Sequence, residues 1–259
     1  MNADTLPTLD AHGHLDPSRP VSELDAAGAV LAMTLSPGEF ETAVAHREAG
    51  RPHPLVAWGA GCHPGVVEAQ EAFDAERFRA LAERAAVLGE IGLDAASRAP
   101  LETQVRNFRS ILAIASALGR PVSVHSTHAA ALALDELERA KPPAVVLHWW
   151  LGSAGQTSRA VDLGCWFSIH SSIARQSKFR ARVPVERVLV ETDHGYDDPP
   201  AGIPPRIQWA EQLVARQYGL RAADLRRQIW KNFRAIVERT GVAGLLPGGI
   251  AGALAGLGE

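Results

Sequence analysis

The chain has 259 residues, 46% of them hydrophobic, with 26 basic against 29 acidic side chains and a net charge of −3. That length and apolar content suit one globular unit with a large core, and the near-neutral balance excludes an overall basic footprint for a polyanion. The amino terminus, Met1 to Pro7, lacks the basic start, apolar stretch and small-residue cleavage site of a secretory signal, so a cytoplasmic location is expected.

Eight short runs rich in valine, leucine and isoleucine punctuate the chain: near Leu9 to His12, Ala29 to Thr34, Leu55 to Ala60, Val87 to Leu93, Val122 to His125, Val145 to Trp149, Cys165 to Ile169 and Val188 to Glu191. Longer segments of helical period separate them. Asp74 to Ala86 places Phe78, Leu81 and Ala82 on one face, Glu102 to Leu118 does the same with Val105, Phe108, Leu112 and Ala115, and an arginine-rich helix runs through Asp224 to Thr240. Eight strands alternating with helices predict an α/β fold, a TIM-type (β/α)8 barrel in one domain over residues 1–240. Cys62 and Cys165, in or beside apolar runs, read as buried inert thiols.

Residues 241–259 break the pattern. They hold seven glycines and a proline, and their only charge is the terminal Glu259. Such glycine content opposes a helix, so a loosely ordered tail is expected, with an apolar docking strip for a partner as the alternative. The segment is too interrupted to span a membrane.

The chemistry-bearing residues sit where these runs end. In a parallel barrel the strand C-termini open onto one face, so groups distant in sequence converge there. His12 and His14 are two apart and, on an extended strand, project to the same side, able to grip one ion. Glu90 is a carboxylate in an otherwise apolar run and requires a cation or strong donors. His125 and His148 each close a strand, and a lone strand histidine is more commonly a packed core residue. Together with the first pair they supply enough nitrogen ligands for two divalent ions. Asp193, ending the last strand, is the candidate acidic ligand and general base, orienting and deprotonating a metal-activated water. Glu191, two residues earlier, should face the same way one layer deeper and bind the ligand shell or barrel wall. His63, just past the third strand, is placed to meet an anionic oxygen. Of Trp149 and Trp150, one is a candidate stacking platform.

No sulfur ligand belongs to this shell, so Mg2+, Mn2+ and Zn2+ all stay open, as one or two ions. The three lysines, Lys141, Lys178 and Lys231, end no predicted strand, which argues against a Schiff base or a carbamylated bridge. There is also no Gly-x-x-x-x-Gly-Lys-Ser/Thr loop and no Cys-x-x-Cys pair.

The ordered segments Leu9-Asp10-Ala11-His12-Gly13-His14-Leu15-Asp16, Gly61-Cys62-His63-Pro64, Gly89-Glu90-Ile91-Gly92-Leu93-Asp94, Val124-His125-Ser126, Leu147-His148-Trp149 and Val190-Glu191-Thr192-Asp193 resemble the motifs of the TatD family of metal-dependent DNases. The resemblance implies an amidohydrolase-like barrel with one or two divalent metals and phosphodiester hydrolysis, commonly as a 3′ to 5′ exonuclease on DNA with single-stranded ends. By position, His12, His14, Glu90, His125, His148 and Asp193 would be the metal shell and His63 a substrate-side residue. The chain departs from the family pattern at His194-Gly195-Tyr196, Trp149-Trp150-Leu151-Gly152 and Ala95-Ala96-Ser97, which leaves the shell intact but bears on substrate choice. With Leu163-Gly164-Cys165-Trp166-Phe167-Ser168 these segments are similar to the TatD-like subunit of the Qat anti-phage defence system, implying protein partners in a defence complex. The alternatives are an amidohydrolase, esterase or deacylase using the same shell on a small substrate, or a partner-binding subunit. With metals as the main phosphate anchor, polyanion binding is expected to depend only weakly on salt.

Overall fold

The computed structural model describes residues 6–19, 28–50, 52–195 and 207–258; Met1 to Thr5, Tyr196 and Glu259 lie outside these ranges. All eight expected strands form: β1 Leu9–Gly13, β2 Ala29–Met33, β3 Val56–Gly59, β4 Leu88–Gly92, β5 Val122–His125, β6 Val145–Leu147, β7 Trp166–His170 and β8 Val188–Glu191. Every ladder is parallel, in the order β1-β2-β3 and β4-β5-β6-β7-β8.

Backbone hydrogen bonds join the two arcs at both seams. At β3/β4 a parallel bridge pairs Ala60 with Leu88, with Gly89 N donating to Ala60 O at 2.9 Å. At β8/β1, Asp193 N donates to His12 O at 3.0 Å and His14 N to His194 O at 2.7 Å. The strands are thus the staves of one TIM-type barrel, buried on both faces, which explains why they read as continuous apolar runs.

The helices cover the outside: α1 Pro37–Ala49, α2 Val67–Glu71, α3 Ala75–Ala82, α4 Leu101–Leu118, α5 Ala130–Ala140, α6 Ala154–Asp162, α7 Ser177–Arg182, α8 Ile207–Tyr218, α9 Ala222–Thr240 and α10 Gly248–Ala255. Local chemistry sets several boundaries. Asp74 accepts from Arg77 N to cap α3, and Ser153 with Gln156 forms a reciprocal capping box on α6. Gly241 ends α9 at φ 71°, a left-handed cap that glycine adopts without steric cost. Helix α9 is tied to the barrel floor by Asn232 Nδ2, which donates to Val185 O and Val188 O at 2.8 and 2.7 Å.

The carboxyl-terminal segment departs from the expected loose tail. A 3-10 turn over Val242–Leu245 leads into α10, and Val242, Ile250, Ala253, Leu254 and Leu257 are buried. Ile250 N donates to Pro54 O, and the Arg234 guanidinium donates twice to Gly258 O at 3.0 Å. Glycine content correctly signals poor intrinsic helicity, but tertiary burial decides whether a marginal helix forms. Those five apolar side chains face the core rather than forming a docking strip.

Candidate metal centre

Side chains from within or just beyond β1, β4, β5, β6 and β8 converge at the barrel mouth. Glu90 lies at their centre, 1% exposed, with its two carboxylate oxygens facing different partners. Oε2 lies 3.3 Å from both His12 Nε2 and His14 Nε2. Oε1 lies 2.6 Å from His125 Nδ1, 2.7 Å from His148 Nε2 and 3.2 Å from His63 Nε2. Asp193 Oδ1 joins the first group, 3.3 Å from His14 Nε2 and 3.8 Å from His12 Nε2.

Two ligand sets therefore share one carboxylate. One ligand atom from each of His12, His14, Glu90 and Asp193 lies within 4.8 Å of all the others, and the same holds for His63, Glu90 and His125. Ligands bound tetrahedrally at 2.0–2.2 Å stand roughly 3.4 Å apart, close to the separations seen in the first set. The buried Asp193 Oδ1, His125 Nε2 and His148 Nδ1 form no hydrogen bond, although each has an ionisable neighbour. His148 Nε2 and His125 Nδ1 face each other at 3.3 Å, and the His12 and His148 rings stack at 3.9 Å. Nitrogen and oxygen donors so crowded around one buried carboxylate fit divalent cations.

Neighbouring groups orient these side chains. His14 Nδ1 donates to Met33 O at 3.0 Å, which turns Nε2 toward the centre, and His12 Nδ1 sits 2.8 Å from Ser123 Oγ. Glu191, fully buried, accepts from Trp149 N at 2.7 Å and from Ser168 Oγ, and its Oε1 is 3.6 Å from His148 Nδ1. Asp10 accepts from His12 N and Thr192 N and, at 2.5 Å, from Thr192 Oγ1, pinning β1 to β8 beside Asp193. Asp193 and Trp149 both take left-handed backbone, φ 50° and 36°, a strained conformation that side chains at functional strand ends often hold. At Gly92, a Cβ would come 2.0 Å from His125 O, so only glycine lets β4 approach β5 here.

The electrostatics follow from this crowding. Burial would raise the Glu90 carboxyl, but the surrounding imidazoles hold it well below its ordinary value. Burial opposes charge on His14, yet the Asp193 and Glu90 carboxylates outweigh it and lift His14 to about 9. His148 is likewise raised against burial by Glu90 and Glu191. His12 falls to about 4 through burial and the neighbouring His148 charge. Burial pushes the Asp10 carboxyl up to about 7 and both cysteine thiols to about 12.

All six residues expected as the shell are brought together, and His63 joins them more closely than a rim position would. The centre opens into a cleft of about 560 Å³ whose lining includes His63, Trp149, Leu151, His170 and His194. Trp149 stacks on His170 at 4.1 Å, whereas Trp150 is fully buried with its indole N–H on Thr157. Sequence reasoning did not single out Asp10, Ser123 or Met33. Asp10 had a signal, since it shares the two-residue period of His12 and His14, but a backbone carbonyl from another strand leaves none.

A closed parallel barrel with this polar constellation at its C-terminal mouth defines a metal-dependent hydrolase. A family model described as TatD related DNase matches residues 9–238, and the chain belongs to that family. The Mycobacterium tuberculosis protein named uncharacterized metal-dependent hydrolase TatD is 28% identical over 240 residues, covering 81% of this chain and 91% of its own. The 3′-5′ ssDNA/RNA exonuclease TatD of Edwardsiella piscicida is 31% identical over 156 residues, 56% of this chain and 60% of that protein. Among solved structures, the TatD homologue YJJV of Escherichia coli K12 superposes with a TM-score of 0.74 at 23% identity, covering 88% of this chain and 97% of that one, which establishes the shared fold.

Proposed function

We propose that the protein is a nuclease that hydrolyses DNA phosphodiester bonds from single-stranded 3′ ends. The observation that carries this reading is the division of imidazoles between the two Glu90 oxygens, an arrangement that would hold a pair of divalent ions. His12, His14, Asp193 and Glu90 would hold one ion, and Glu90, His63 and His125 the other, with His148 2.7 Å from the same Glu90 oxygen completing that side. When bound, such ions polarise the phosphoryl oxygens and lower the pKa of the attacking water. Asp193, whose Oδ1 is buried without a hydrogen bond, would act as the general base toward the attacking water. His63 and Trp149 line the approach, the imidazole toward a phosphate oxygen and the indole face toward a base. The polarity is proposed by analogy with the exonuclease named in Edwardsiella piscicida.

Among the described residues no helix is long and apolar enough to cross a membrane. The free, buried Cys62 and Cys165 suit a reducing compartment such as the cytoplasm.

The test supplies 5′-labelled single-stranded DNA with Mg2+, Mn2+ or Zn2+ in turn, alongside neutral esters and amides. A ladder shortening from the 3′ end, abolished by chelator, is the expected result. Turnover of carbonyl substrates without any diester cleavage would transfer the assignment to the amidohydrolase or esterase class.

A further inference from the structure

A cationic segment follows His170 of the cleft wall, and its three arginines have no carboxylate partner among the described residues. Between Asp162 and Glu186 the chain carries Arg175, Lys178, Arg180 and Arg182 and no acidic residue. Elsewhere Arg77 pairs with Glu41 at 2.6 Å, Arg109 with Glu136 at 2.7 Å, Arg159 with Glu138 at 2.5 Å and Arg226 with Glu211 at 2.7 Å. Arg175, Arg180 and Arg182 are exposed and form no ion pair among the described residues.

The segment's position gives these charges a direction. It starts at His170, the ring that stacks on Trp149 inside the cleft, and turns through Ile173 N donating to His170 O and Gln176 N to Ile173 O. Buried Ile173, Ala174 and Phe179 seat it on the barrel, leaving Arg175 and Arg180 outward. Lys178 Nζ donates to Gly152 O at 2.6 Å, binding the segment to the loop that carries Leu151, a cleft-lining side chain 55% exposed. The aromatic stack and the exposed Leu151 line the cleft, and the chain leaving that wall at His170 carries guanidinium groups without an ion-pair partner among the described residues. Single-stranded polynucleotides are held by this combination, with bases on aromatic faces and phosphates on cations.

We propose that the segment between β7 and the end of α7 is a binding rail for a single-stranded polynucleotide: Trp149 on His170 receives a base next to the reacting phosphate, and Arg175 and Arg180 hold phosphates farther along the strand. The rail extends the nuclease reading and supplies binding apart from the metals. It also modifies the expectation drawn from net charge, because a local track exists on a mildly acidic protein.

The experiment measures binding of a short fluorescein-labelled single-stranded oligonucleotide by anisotropy, in chelator, across a salt series. Wild type should bind without metal, and Arg175→Ala with Arg180→Ala should reduce the log–log salt slope by about 1.4, roughly 0.7 for each lost phosphate contact. Arg77→Ala with Arg84→Ala removes the same charge from the ion pairs to Glu41 and Glu48 of α1 and should leave the slope unchanged. No binding in chelator, equal slopes for wild type and the rail variant, or equal loss in the control variant overturns the rail. Competition by inorganic polyphosphate as effective as by unlabelled oligonucleotide, at equal phosphate, also overturns it, because the aromatic stack would then contribute nothing. Divalent metal added to the same samples reads cleavage separately. Intact oligonucleotide with the predicted slope change would sink the nuclease reading and leave the rail standing.

Discussion

Glu90→Gln and Asp193→Asn each remove one negative charge from the same centre, yet the structure assigns them different losses. Glu90 touches five imidazoles through two oxygens, whereas Asp193 Oδ1 approaches two. Unit charges 4 Å apart at an effective dielectric of 20 interact by about 4 kcal/mol. Taking half of that, because an amide oxygen can still ligate, leaves about 2 kcal/mol, or roughly thirtyfold in affinity at each ion position. Glu90→Gln should lose that much at both positions, so dialysis to a fixed free-metal level empties the protein and excess metal restores part of the turnover. Asp193→Asn should keep the ion held on the Glu90 Oε1 side but lack a base, and kcat should fall by roughly 10²–10⁴ with no rescue by metal. Elemental analysis after dialysis, kcat across a metal titration and circular dichroism separate the two. Full turnover in Asp193→Asn, unchanged metal content in Glu90→Gln, or unfolding of both variants would refute the shared-carboxylate reasoning.

The metal-free centre should show its own pH dependence. His14 has its folded pKa raised to about 9 against an ordinary 6.5, so its contribution is full below 6.5 and is lost as pH rises through 9. The melting temperature of the apo protein should accordingly fall across that window. Metal loading near pH 7 should release protons, which calorimetry in buffers of different ionisation enthalpy detects, and pH-independent loading would contradict the assignment. At the opposite end of the barrel, Ile250→Ala on the fully buried face of α10 should cost about 2–5 kcal/mol. That loss lowers the melting temperature by several degrees while metal content per folded molecule stays the same. An unchanged melting temperature would mean that the segment is the loose tail its composition suggests.

The parts of the molecule that were legible in the sequence are those set by local period. Strands buried on both faces read as unbroken apolar runs, so all eight could be placed, and polar residues closing such runs had to lie at the mouth. His12 and His14 were readable as a pair because a strand turns every second side chain to the same side. What the sequence concealed depends on contacts between distant segments. The Met33 carbonyl that orients His14 belongs to another strand, and the Ser123 hydroxyl beside His12 is 111 positions away. Helix α10 could not be inferred from glycine-rich composition, since its stability comes from seating Ile250 and Leu254 in the core. The cationic segment was hidden for the opposite reason. Net charge averages over the whole surface, and Arg175 and Arg180 become distinctive only once the chain that carries them is seen to leave the cleft wall at His170, with no acidic residue between Asp162 and Glu186. Polyanion affinity is governed by the local charges a ligand can reach, within about 10 Å at moderate salt, so a protein of net charge −3 can carry a basic rail.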